Sequence, residues 1–142
     1  KEGISYGVGS NVQVSAFDKS GTFTTFAIYA PQNAGRLETA FREEIARAIK
    51  DGFTPQEVEE GKKGYLESRK LQRAQDGSLA RTLATELFAN RTLTWDAELE
   101  QRVASLTVDQ VNAAMRNWID PSKITIVKAG DFAKGGAAAP KP

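Results

Sequence analysis

The side chains that most often do chemistry in proteins are absent from this sequence. It contains no histidine and no cysteine. Without Cys there is no disulfide, no thiolate metal ligand and no thiol nucleophile. Without His there is no common zinc ligand, no usual partner for a Ser nucleophile and no general base near neutral pH. A zinc site in this chain would have to use carboxylates alone, which zinc disfavours. Ser and Asp are plentiful, but a Ser-His-Asp arrangement is impossible. The acidic residues fall on what read as exposed helix faces, a poor setting for paired acid–base work. Gly7-Val8-Gly9 is not a dinucleotide fingerprint, because no third glycine is correctly placed and no helix follows. There is no Walker motif. Tyr6 remains, on the first strand pattern of the chain. By pattern alone it reads as a core tyrosine at a sheet edge, sharing parity with Ile4 and Val8. Its phenol can donate one hydrogen bond.

The elements that would carry Tyr6 start at once. Ile4, Tyr6, Val8, Val12, Val14 and Ala16 alternate with Gly3, Ser5, Gly7, Gly9, Asn11, Gln13 and Ser15. A period of two predicts a strand with one buried face. Asp18-Lys19-Ser20-Gly21 is a turn, and residues 22–29 return as the second strand of a hairpin. That return strand reads as covered on both sides. Glycines inside a strand mark a bulge or curvature, or a place where another backbone comes close.

Helical patterns follow. Leu37, Phe41, Ile45 and Ile49, widened by Ala40 and Ala48, predict a helix from about 33 to 50, with Arg36, Glu38, Arg42, Glu43, Glu44 and Arg47 on its wet side. Gly52 is a left-handed stop. Thr54-Pro55-Gln56-Glu57 is a capping box with Pro at the first helical position. It opens a helix to about Arg73, with Val58, Tyr65 and Leu66 as its apolar residues. Gly61 and Gly64 inside it cost about 1 kcal/mol each relative to Ala, which close packing would explain. Asp76-Gly77-Ser78 breaks the chain. Leu79, Leu83 and Leu87, with Ala80, Ala84 and Phe88, form a third stripe. Thr94 opens a short fourth helix. Thr107-Val108-Asp109-Gln110 caps a fifth helix carrying Val108, Val111, Ala114, Met115 and Trp118. Residues 123–130 predict a last strand. The fold class is α+β: an antiparallel sheet with helices packed on one face. Three strands are few for that many helices, so further strands are expected from an N-terminal extension or a partner chain. The chain opens abruptly on a strand, which suggests a cut end at Lys1.

The length of 142 residues suits one domain with a sizeable core. Residues 1–132 read as that domain, and 133–142 as a flexible Gly/Ala/Pro tail. Nineteen basic residues face eighteen acidic ones, so charge gives no reason to expect nucleic acid or an acidic membrane surface. The basic run Lys62, Lys63, Arg69, Lys70, Arg73 is interleaved with Glu57, Glu59, Glu60 and Glu67. It reads as a solvated face rather than a nucleic-acid site. No stretch approaches the roughly eighteen apolar residues of a membrane span.

Lys1-Glu2-Gly3-Ile4-Ser5-Tyr6-Gly7-Val8, Ser20-Gly21-Thr22-Phe23, Asp51-Gly52-Phe53-Thr54-Pro55-Gln56-Glu57-Val58, Leu106-Thr107-Val108-Asp109-Gln110-Val111 and Val127-Lys128-Ala129-Gly130-Asp131 form a series. In order and spacing, from Lys1 to about Phe132, it resembles the non-catalytic C-terminal domain of pitrilysin/insulysin-type zinc peptidases, the family of mitochondrial processing peptidase. The resemblance implies the metallohydrolase fold of the LuxS/mitochondrial processing peptidase type, truncated at its N-terminus. In that family two homologous halves close around a peptide. One half holds zinc through an inverted His-x-x-Glu-His motif and a downstream glutamate. The other has lost the ligands and supplies an Arg and a Tyr, seven residues apart, to the substrate. Tyr6 would be that Tyr, and the Arg would fall just before Lys1. The implied cofactor is zinc on the partner domain, with none in this chain. The implied partners are that homologous zinc-bearing domain and a peptide substrate. The implied compartment is the bacterial periplasm. An inert structural or assembly module, as in family members of respiratory complexes, is the alternative.

Overall fold

The structure is a computed structural model, and it describes residues 3–132. The expected cut end at Lys1 and the expected tail, 133–142, lie outside the described residues. The chain falls into two compact units, one built from the chain up to Asp51 and again from Arg116 onward, the other spanning Gly52–Met115. Among the described residues, two antiparallel strands and five α-helices make it an α+β protein, as the sequence predicts.

In the first unit, β1 (Gly7–Val14) and β2 (Gly21–Ile28) form the hairpin. The register runs without interruption from Gly7↔Ile28 to Val14↔Gly21, so there is no bulge. Ser15 and Asp18 hold the turn. Ser15 N–H donates to Ser20 O at 2.9 Å, and Asp18 Oδ1 accepts from Ser20 N–H at 3.2 Å. The glycines have separate explanations. Gly3 sits at φ +61°, a left-handed conformation that favours glycine. Gly9 lies beneath the ring of its cross-strand partner Phe26, and a Cβ there would come within 2.7 Å of that ring. A Cβ at Gly7 would meet nothing within 4 Å.

The face of β1 expected to be buried is open: Val8, Val12 and Val14 are all exposed. On β2, Phe23, Ala27 and Tyr29 are half-buried while Phe26 and Ile28 are exposed, so that strand is not covered on both sides either. Alternation defines two faces, but burial needs a second surface laid against one of them. Residues 123–130 likewise form no strand. A short 3-10 turn, Pro121–Lys123, precedes them, and no ladder joins them to another segment among the described residues. Half-buried Ile124, Ile126 and Lys128 still alternate with exposed Thr125 and Val127. The period of two is present without the hydrogen-bonded neighbour that would make it a strand.

α1 (Ala34–Asp51) keeps the expected stripe half-buried, with Ala34 fully buried at its start. Its Glu38, expected in water, is half-buried and pairs with Lys128 and with Arg42. The Lys128 ammonium, then the Arg42 guanidinium, hold the Glu38 carboxyl below its ordinary range.

In the second unit α2 (Pro55–Arg73) begins with the complete capping box. Thr54 Oγ1 accepts from Glu57 N–H at 3.2 Å, and Glu57 Oε2 accepts from Thr54 N–H at 2.8 Å. Its inner line is Val58, Lys62, Leu66, Arg69 and Arg73, and Tyr65 is exposed. Part of the basic run expected to be solvated therefore points inward and is neutralised there. Lys62 Nζ donates to Glu59 at 2.7 Å and to Leu106 O at 3.1 Å. A Cβ at Gly61 or Gly64 would meet nothing within 4 Å, so close packing does not account for them.

α3 (Asp76–Phe88) starts at Asp76, earlier than the predicted break allows. The expected stripe is inward only at Leu79, which turns in with Ser78, Thr82 and Glu86, while Leu83, Leu87 and Phe88 are exposed. The buried Glu86 carboxylate lies 2.8 Å from Arg91 Nε, and Arg91 stacks over Trp95 at 4.0 Å. α4 (Leu93–Ala104) is capped by Thr92, which accepts from Thr94 N–H, rather than opened by Thr94. α5 (Val108–Trp118) has the expected box, with Thr107 N–H donating to Gln110 Oε1 at 2.9 Å and Gln110 N–H donating to Thr107 Oγ1 at 3.3 Å. Val108, Val111 and Met115 are half-buried, whereas Trp118 is exposed.

Candidate functional site

Tyr6 stands at the entrance to β1. Its backbone N–H donates to Ile28 O at 2.7 Å, adding one rung beyond the first paired residue of the ladder. Two residues earlier, Ile4 O accepts from Asn33 Nδ2 at 3.1 Å. The chain before Tyr6 is thus tied to the turn that follows β2. The Tyr6 side chain is 80% exposed, on the same parity as the open row Val8, Val12, Val14. The reading as a core tyrosine does not hold in this unit. A phenol presented on an uncharged sheet face, where Ser10 and Thr25 sit among the valines, can donate to a carbonyl that approaches it. Sequence reasoning missed Asn33. Its only signal was an amide side chain shortly after Pro31, at the point where the return strand must turn into a helix.

Among the described residues the acidic groups form no second site of this kind. Arg69 Nη2 pairs with Asp96 Oδ1, and Arg69 Nε donates to Glu100 Oε1 at 2.8 Å. Arg73 pairs with the same Glu100, reaching Oε2 through Nη2 at 3.1 Å. Arg73 first, and then Arg69, hold the Glu100 carboxyl below its ordinary range. Asp18 and Asp120 are lowered chiefly by the hydroxyls of Ser20 and Ser122 in their own turns. Glu100, Asp18 and Asp120 are each favoured as carboxylates by a structural partner, the opposite of what a proton donor needs. The donor set does not suit zinc: His and Cys are absent from the sequence, and among the described residues no three carboxylates converge.

Residues 1–65 match a family model described as the Peptidase M16 inactive domain. No curated protein and no solved structure matches the chain. The matched stretch holds the hairpin, Tyr6, Asn33, α1 and the first part of α2.

Proposed function

We propose that this chain, whose residues 1–65 match the model of the Peptidase M16 inactive domain, is the substrate-binding half of a zinc metalloendopeptidase of pitrilysin type. In this reading it helps to enclose a peptide that is cleaved on a homologous domain. That domain, in the same polypeptide or a partner subunit, carries the zinc and its Lewis acidity. The residues of this chain bind and orient. The reading rests on one observation, the exposed Tyr6 phenol on an open sheet face inside the matched stretch. Its hydroxyl donates to a peptide carbonyl oxygen, and the bond strengthens if that oxygen gains charge during cleavage. In the full-length peptidase, Tyr6→Phe should lower kcat by about tenfold to a hundredfold and leave the melting temperature unchanged. Unchanged peptide turnover would sink the assignment.

A second reading is favoured by the row Val8, Val12, Val14. An exposed apolar patch suits coverage by another protein surface, so the domain could serve assembly alone. Val12→Lys would then dissociate the complex, while Tyr6→Phe would change nothing.

A further inference from the structure

We propose that Asn33 is a positioning residue for Tyr6, an inference that rests on the peptide-binding reading above. An exposed side chain is not aimed by packing, so its direction depends on its backbone. Tyr6 sits at the outermost rung of a two-stranded ladder, where fraying is greatest. Only its own N–H, on Ile28 O, belongs to that ladder. Beyond it, Gly3 turns the chain at φ +61° and gives the segment freedom.

Asn33 closes this gap. Its Nδ2 donates to Ile4 O at 3.1 Å, acting as one more rung two residues past the last backbone one. Asn33 is itself held, because it ends the 3-10 turn Pro31–Asn33 and its N–H donates to Ala30 O at 2.8 Å. The Tyr6 backbone is therefore gripped on one side by the end of β2 and on the other by the turn that follows β2. Both grips come from the same stretch of chain, so the Tyr6 Cα–Cβ bond keeps a fixed direction relative to the sheet, from which the phenol rotamers extend.

The test substitutes Asn33→Asp, which keeps the shape but cannot donate when ionised. In the chain labelled with 3-fluorotyrosine, the Tyr6 fluorine resonance is assigned by its loss in Tyr6→Phe. Asn33→Asp should move that resonance toward its position in the urea-unfolded chain and leave the Tyr65 resonance in place. In the full-length peptidase, kcat/KM should fall about fivefold. In a Tyr6→Phe background the same substitution should leave kcat/KM within about twofold. An unmoved Tyr6 resonance overturns the proposal, and so does an equal loss of kcat/KM in both backgrounds. If Tyr6→Phe alone leaves turnover unchanged, the peptide-binding reading fails, and the fluorine shift still decides whether Asn33 holds Tyr6. Asn33→Ser, too short to reach Ile4 O, carries the same test if Asn33→Asp does not fold.

Discussion

Arg69→Met should destabilise the protein by about 3–5 kcal/mol, read as a lower urea midpoint at neutral pH. Arg69 bridges α2 to α4 through Asp96 and Glu100. Asp96 is only 6% exposed, and its Oδ2 already lacks a hydrogen-bond partner. Methionine fills much of the same volume but leaves that carboxylate buried without its counter-charge. Removing one member of a buried pair costs far more than the pair itself contributes, because the remaining ion cannot recover its hydration. Arg73→Met should cost much less, since Arg73 is more exposed and Glu100 keeps Arg69. A loss below about 1 kcal/mol for Arg69→Met would show that Asp96 is hydrated in solution. Glu100 adds a pH dependence of definite sign. Its folded-state pKa lies below its unfolded value through Arg73 and then Arg69. Its contribution is complete above the ordinary glutamate pKa and is lost as pH falls through the lower, folded one. Acid titration of stability should therefore show a fall beginning below about pH 4.5, and a shallower fall in Arg73→Met.

Asn112→Ala should cost about 2–3 kcal/mol. The Asn112 side chain completes the backbone of Phe53 on both sides: Oδ1 accepts from Phe53 N–H at 2.7 Å, and Nδ2 donates to Phe53 O at 3.1 Å. The two residues are 59 positions apart in sequence. Alanine leaves a partly buried donor and a partly buried acceptor unpaired together. Asn112→Asp, which keeps the acceptor and loses the donor, should fall between the two. The same contact explains why Gly52 must be glycine for two reasons. It sits at φ +76°, and a Cβ there would come within 2.7 Å of the Asn112 amide. Denaturant unfolding of Asn112→Ala checks the figure, and a change under about 0.5 kcal/mol would mean that water replaces the amide at no cost.

The hydrogen bonds these two predictions rest on were not legible in the sequence, although the residues were in view. In the sequence Arg69 is one charge of a mixed basic and acidic run, and no local pattern marks Asn112. Both act across long separations, through partners that no local rule names. The Leu83, Leu87 and Phe88 stripe of α3 makes the same point from the other side. Its helical period is real, yet the helix turns Glu86 inward toward Arg91 and leaves the leucines exposed.

What the sequence determined by itself is short in range. The capping boxes at Thr54 and Thr107 reach three residues, the Gly52 stop reaches one, and the hairpin needs only alternation around a turn. The sequence also closed off His- and Cys-based chemistry and singled out Tyr6. Only the tertiary structure decided which faces are covered. It left the Val8, Val12, Val14 row open, gave residues 124–129 no strand ladder among the described residues and turned Arg69 inward. It also decided that Tyr6 is presented outward and that its strand is held by an amide 29 positions beyond Ile4. A periodic pattern defines a face through local geometry, whereas the partner of that face is set by contacts between distant parts of the chain.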